Sequence, residues 1–164
     1  MSLRDYMQQL VEQCAVAGLP AILERFVLKH GTAFEGARRP KGVRKRAMKM
    51  CFRNSANITL DARLGSDYYE GFAMHREMMF PFLHAWNVRD GKVIDTTLRD
   101  PEQYQYLGLR FTLRQLISVL AETQVYGLLD PGMINIKLLR SIDDGLVEEA
   151  MAVRRIREVQ SLKL

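Results

Sequence analysis

Asp90-Gly91, inside LHAWNVRDGKVIDTT (residues 83–97), constrains this chain more than any other feature. It separates two runs of alternating apolar and polar residues. An Asp-Gly pair in that setting signals a two-residue type I′ hairpin turn, which needs positive φ at both central positions. Such a loop sets Arg89 against Lys92, Val88 against Val93, Trp86 against Asp95 and His84 against Thr97. Side chains alternate along a strand, so Phe82, His84, Trp86, Val88, Val93, Asp95 and Thr97 project from one face. His84 and Asp95 become diagonal neighbours, with Cβ atoms roughly 5–8 Å apart. That face is the more apolar one, and a carboxylate buried there needs a partner. His84 is placed to be it.

Short β-like runs surround the hairpin, YYEGFAMH (68–75) before FPFLHAWNV (80–88), and DPEQYQYLGLRF (100–111) reads as an irregular connector or a short further strand. Helical patterns flank them. Ser2 and Asp5 open a capping-box-like start, and Leu3, Tyr6, Met7, Leu10, Val11 and Cys14 recur at helical spacing until Gly18. Pro20 suits the first turn of a second helix ending near Gly31, with His30 as its C-terminal cation. Thr112 and Gln115 make another capping box, opening a helix that runs to Gly127. Asp130-Pro131-Gly132 is a turn, MINIKLLRSI (133–142) is ambiguous between strand and helix, and an amphipathic helix closes the chain. These elements predict an α+β domain over residues 1–164: N-terminal helices and a loop to 43, a central core over 44–110, and C-terminal helices over 111–164.

The formal charge of +5 has a local source. Arg38, Arg39, Lys41, Arg44, Lys45, Arg46 and Lys49 lie within twelve positions, leaving 17 basic residues against 19 acidic elsewhere. This segment, with the loop GTAFEGARRPKG (31–42) at its start, is either a solvated connector or a patch for nucleic acid or another acidic partner. With two cysteines and three histidines (His30, His75, His84), and neither CxxC nor HxxxH spacing, no metal and no cofactor are expected and both thiols should be free. No apolar run approaches the roughly 18 residues that cross a bilayer, and the N-terminus lacks the apolar core of a signal peptide. The expectation is a cytoplasmic protein with no membrane partner.

Cys51, Ser55, Ile58 and Ala62 fall on one helical stripe. A block of cations suits a helix N-terminus poorly, so this helix should begin near Lys49 or Met50, which puts Cys51 in its first turn, where unpaired N–H groups stabilise a thiolate. Cys14, on an apolar stripe, reads as a buried, inert thiol. Nucleophilic catalysis by cysteine needs a thiolate, an imidazole to carry its proton and an acceptor that fixes the imidazole tautomer. Cys51, His84 and Asp95 supply all three, although each alone could be core filler, a hydrogen-bonded histidine or a hairpin residue. His75 is a rival base with no nearby aspartate placed for it. Asn54 is either an oxyanion donor one turn on or an ordinary helix amide, Glu70 lines the cleft or is exposed, and Trp86 is core as much as substrate platform.

The order Cys51, His84, Asp95, with spacings of 33 and 11, resembles the transglutaminase-like branch of the papain-like cysteine enzymes. HAW at 84–86, the turn and VIDTT at 93–97 are similar to that family's His-Ala-Trp strand and its following Asp-bearing strand, and YYEGFA at 68–73 to the strand between cysteine and histidine. The likeness covers roughly residues 44–110. Phe52 stands where the family usually has tryptophan, and Lys49-Met50 where it tends to have Gly or Gln. The resemblance implies a Cys-bearing helix packed on a small antiparallel sheet. It also implies Cys51 as nucleophile, His84 as general acid/base, Asp95 as orienting carboxylate, and a thioacyl intermediate formed from a protein, peptide or other amide substrate. Peptidase, amidase, deamidase and transglutaminase chemistries all fit it.

Overall fold

The structure, a computed structural model, describes residues 1–61, 64–129 and 135–161, with side chains as far as 152. Ala62 and the turn expected at Asp130–Gly132 lie outside the described residues, as do the first two residues of MINIKLLRSI.

Two helices open the chain, α1 (Leu3–Val16) and α2 (Ile22–His30), followed by β1 (Thr32–Glu35) and α3 (Cys51–Leu60). Strands β2 (Asp67–His75), β3 (Pro81–Arg89), β4 (Lys92–Ile94) and β5 (Tyr104–Phe111) follow, then α4 (Leu113–Thr123) and α5 (Ile136–Ser161). The α+β class is as expected. Capping boxes start α1 and α4: Ser2 Oγ and Thr112 Oγ1 accept from the N–H of Asp5 and Gln115, whose side chains accept from the cap N–H in return. Each satisfies two of the orphan donors of a helix start.

All strand pairs are antiparallel, in the order β1-β5-β2-β3-β4. Two parts of this sheet correct the sequence reading. Residues 32–35, expected as loop, form edge strand β1 on β5, and β5 itself is a full eight-residue strand between β1 and β2. The hairpin turn is as expected, with φ of 50° at Asp90 and 73° at Gly91 and the pairs Val88–Val93 and Arg89–Lys92. Its ladder is shorter, however. It stops at Asn87–Ile94, because Asp95 Oδ1 accepts from the backbone N–H of Thr97 (2.7 Å) and Leu98 (3.1 Å), a local turn that competes with strand pairing.

The sheet curls until its edge strands β1 and β4 approach one another. Its convex face carries Tyr68, Phe72, Met74, Ala85, Leu107, Leu109 and Phe111 into the main core, where they meet Met7, Phe26, Val27, Leu116 and Val147 of the helices. Its concave face holds a smaller aromatic core of Tyr69, Trp86, Tyr106 and Phe34, with Tyr69 stacked on Trp86 at 6.0 Å and Trp86 against Tyr106 at 5.1 Å. The strands cross closely where Gly71 pairs with Gly108, and a Cβ on Gly108 would lie 2.5 Å from the Glu70 carbonyl and 2.5 Å from Trp86 Cη2. Helix α5 kinks at Asp143 (φ −157°, ψ 89°). Asp143 Oδ1 there caps the Leu146 N–H, and Oδ2 meets Lys29 Nζ (2.7 Å) and His30 Nε2 (2.8 Å), so His30 ties α2 to α5. No helix among the described residues is long and apolar enough to cross a membrane.

Candidate active site

Helix α3 packs on the convex side of β3. Ser55 Oγ donates to the Ala85 carbonyl (3.0 Å), and Asn87 Nδ2 donates to Ser55 O (3.2 Å) and Thr59 Oγ1 (2.8 Å). The helix begins at Cys51 after a reversal at Lys49, whose φ of 63° is left-handed, and Met50 provides no side-chain cap. No acidic residue occupies its first turn, so the positive end of the helix is uncompensated by its own side chains. Because β4 ends at Ile94, the outer edge of β3 before Asn87 carries no strand among the described residues. Cys51 thus meets His84, which projects to the concave face, across that open edge: both line one cleft, and the cysteine side chain is among the groups that raise the imidazole's pKa.

His84 Nε2–H donates to Asp95 Oδ2 at 2.7 Å, which leaves Nδ1 for the thiol. Asp95 is saturated: Tyr106 OH donates to the same oxygen (3.0 Å), and the two loop N–H groups take the other. Both members of the pair are buried, His84 2% and Asp95 1% exposed. Burial opposes charge on the imidazole, but the charge and hydrogen bond of Asp95, helped by those of Cys51, more than offset it, and the His84 pKa is pushed up to about 9. Burial likewise works against the Asp95 carboxylate, and the His84 cation with the loop N–H groups outweighs it, holding the carboxyl below its usual 3.8. Burial, then the Asp95 charge, push the Tyr106 phenol well above its usual value, so its hydroxyl stays a donor. Through neutral pH the site holds an imidazolium with a carboxylate behind the ring.

The thiol lies on a cleft of about 480 Å³, walled by Met48, Phe52, Phe82, Leu83, Leu98 and Tyr104, with Lys49 and Arg99 also lining it. This is an apolar slot next to a buried polar pair, the usual composition of a small-ligand site.

The supporting residues take different places from those expected. Asn54 gives both amide hydrogens away, to Ala47 O (2.8 Å) and Thr97 Oγ1 (2.9 Å), so it braces the loops on either side of the cysteine and has no donor left for an oxyanion. Glu70 neither lines the cleft nor is exposed. It lies on the convex face, fully buried, accepting from Tyr68 OH (2.6 Å) and from the N–H groups of Leu128 and Leu129 (each 2.8 Å). Trp86 is core, 0% exposed, beneath the site and away from the cleft wall. His75 Nδ1 accepts from the Glu77 N–H in its own turn and the ring packs edge-on to Tyr104. Cys14 is partly exposed on α1, where a buried thiol was expected.

The basic segment divides by role. Arg39 donates to the carbonyls of Leu98 (2.7 Å) and Arg99 (2.9 Å), with a longer bond to Asp95 O (3.4 Å), and clamps the loop that presents the Asp95 carboxylate. Arg38 pairs with Glu102. Lys41, Arg44, Lys45, Arg46 and Lys49 remain exposed. Sequence reasoning missed Tyr106, which lies on a segment it had left irregular, and the clamping role of Arg39, whose carbonyl acceptors are distant in the chain. Among the described residues no group of three or more His, Cys, Asp or Glu side chains is gathered as a metal site. No family model matches the chain, and no curated protein or solved structure matches it significantly.

Proposed function

We propose that the protein is a cysteine-dependent acyl-transfer enzyme with a transglutaminase-like, papain-like core, in which Cys51, His84 and Asp95 act as nucleophile, general acid/base and orienting carboxylate. One observation carries the reading. A thiol at the first residue of a helix shares a cleft with a buried imidazole whose far nitrogen is held at 2.7 Å by a saturated carboxylate. An imidazolium and a helix N-terminus both favour thiolate over thiol, and neither is needed by a cysteine that only fills space.

In this mechanism Cys51 Sγ attacks the carbonyl carbon of an amide or ester. The oxyanion forms against the backbone N–H of Cys51, one of the amides at a helix start without an intrahelical acceptor. His84 Nδ1–H passes its proton to the leaving amine or alcohol as the carbon–heteroatom bond breaks, leaving a thioester on Sγ and a neutral imidazole. Water or an amine then attacks the thioester, His84 takes its proton, and the thiolate leaves with the imidazolium restored. Asp95 keeps the ring turned so that Nδ1 faces the sulfur throughout, and Tyr106 and the loop N–H groups keep Asp95 ionised.

Comparative alkylation tests this. Iodoacetamide near neutral pH, read by mass spectrometry, should label Cys51 at least about tenfold faster than Cys14, even though Cys14 is the more exposed thiol. His84→Ala should remove that advantage. Slow and equal labelling of both thiols would count decisively against catalysis.

A further inference from the structure

Two hollows adjoin at the start of α3, and Cys51 lines one of them. On the His84 side is the 480 Å³ cleft, and beyond Phe52 a groove of about 360 Å³ runs past Lys49, Arg53 and Tyr126. They share Lys49 and Phe52, so together they make one joined surface at the N-terminus of α3, with the thiol on its His84 side. Its charge is of one sign. Lys49, Arg53 and Arg99 line it, and no Asp or Glu does. Lys49 and Arg53 have no carboxylate partner among the described residues. Arg99 has only the neighbouring Asp100 at 3.9 Å, both side chains largely exposed, an arrangement that neutralises little. The helix terminus adds about half a positive charge. Cations kept unpaired around an apolar slot are matched to a ligand that brings its own anions.

Resting on the acyl-transfer reading of Cys51, we infer that the acyl donor is an acidic peptide, with an apolar or aromatic residue in the cleft between Phe82, Leu98 and Tyr104 and carboxylates on either side of the scissile bond, against Arg99 and against Lys49 and Arg53. The walls choose peptide over nucleic acid. The lining joins apolar side chains to three cations, which fits a ligand that carries apolar and acidic side chains together. A polynucleotide brings a phosphate at every step and no acyl carbon for the thiol.

The test uses two capped dipeptide probes on the intact protein, acetyl-Glu-Phe-chloromethyl ketone and acetyl-Gln-Phe-chloromethyl ketone. With either, Cys51 Sγ bonds to the methylene carbon as the C–Cl bond breaks and chloride leaves. The glutamate probe should modify Cys51 about tenfold faster than the glutamine probe at low ionic strength, with the ratio falling toward one in about 0.5 M salt. The ratio should fall likewise in the K49Q/R53Q/R99Q variant. Equal rates for the two probes at Cys51 would overturn the acidic-peptide assignment and leave the thiol chemistry standing. Failure of both to mark Cys51 faster than Cys14 would overturn the acyl-transfer reading beneath it. Protection of Cys51 by a single-stranded oligonucleotide, where an acidic hexapeptide gives none, would overturn the assignment in favour of nucleic acid.

Discussion

Asp95 does more than any other residue to define the site, because four donors converge on one buried carboxylate: His84 Nε2, Tyr106 OH and the N–H groups of Thr97 and Leu98. Breaking a buried pair from one side leaves the partner uncompensated, at a cost of about 3–5 kcal/mol. Asp95→Asn should therefore destabilise the fold as well as disable the ring. The pH dependence has a definite sign. His84 is raised from 6.5 to about 9, so the stability it contributes is complete below pH 6.5 and is lost as pH rises through about 9. Asp95, held below 3.8, contributes stability that is present above that value and fades as pH falls through its lowered pKa. The thermal midpoint of the native protein should decline between pH 6.5 and 9, and Asp95→Asn, already lower, should show a flatter decline. An unchanged slope in the variant would mean that the pair is not the group that titrates.

Elements explain why some of this was legible in the sequence and some was not. The hairpin is local: Asp90-Gly91 sets the turn, period two sets the face, and His84 with Asp95 follows within a dozen residues. The start of α3 at Cys51 was also legible, since the repulsion between seven nearby cations and a helix N-terminus is a one-dimensional argument. What failed depends on distant partners. Strand β1 is largely exposed and has no alternation to read, so only β5, some 70 residues on, makes it a strand. Glu70 could be a cleft or an exposed residue until Leu128 and Leu129 closed over it, and Arg39 looked like a solvated cation or part of an anion patch although its carbonyl acceptors lie 56–60 residues away. The Gly71–Gly108 crossing is of the same kind, and it gives an element-scale prediction. Gly108→Ala forces a methyl against Trp86 and the Glu70 carbonyl, which should cost about 1–3 kcal/mol in denaturant unfolding, and by tilting Trp86 it should also slow alkylation of Cys51. Unaltered stability and labelling would show that the ring beneath His84 is free to yield.

At the scale of the whole molecule, the curled sheet separates the three groups of the proposed triad into two layers. The thiol comes from a helix on the convex side, the imidazole and carboxylate from the concave side, and they meet only because β4 is three residues long and leaves the edge of β3 open. The Asn54 bridge between Ala47 and Thr97, with the Arg39 clamp on Leu98 and Arg99, holds the two layers in register on either side of the cleft. Catalytic competence in this account is thus a property of the assembled layers. The rate of Cys51 alkylation by iodoacetamide at neutral pH, in the native protein against His84→Ala, tests it most directly. A thiol activated by a facing imidazole should lose at least about tenfold in rate when the ring is removed, while labelling of Cys14 stays unchanged. Equal Cys51 rates for the native protein and His84→Ala would contradict the account.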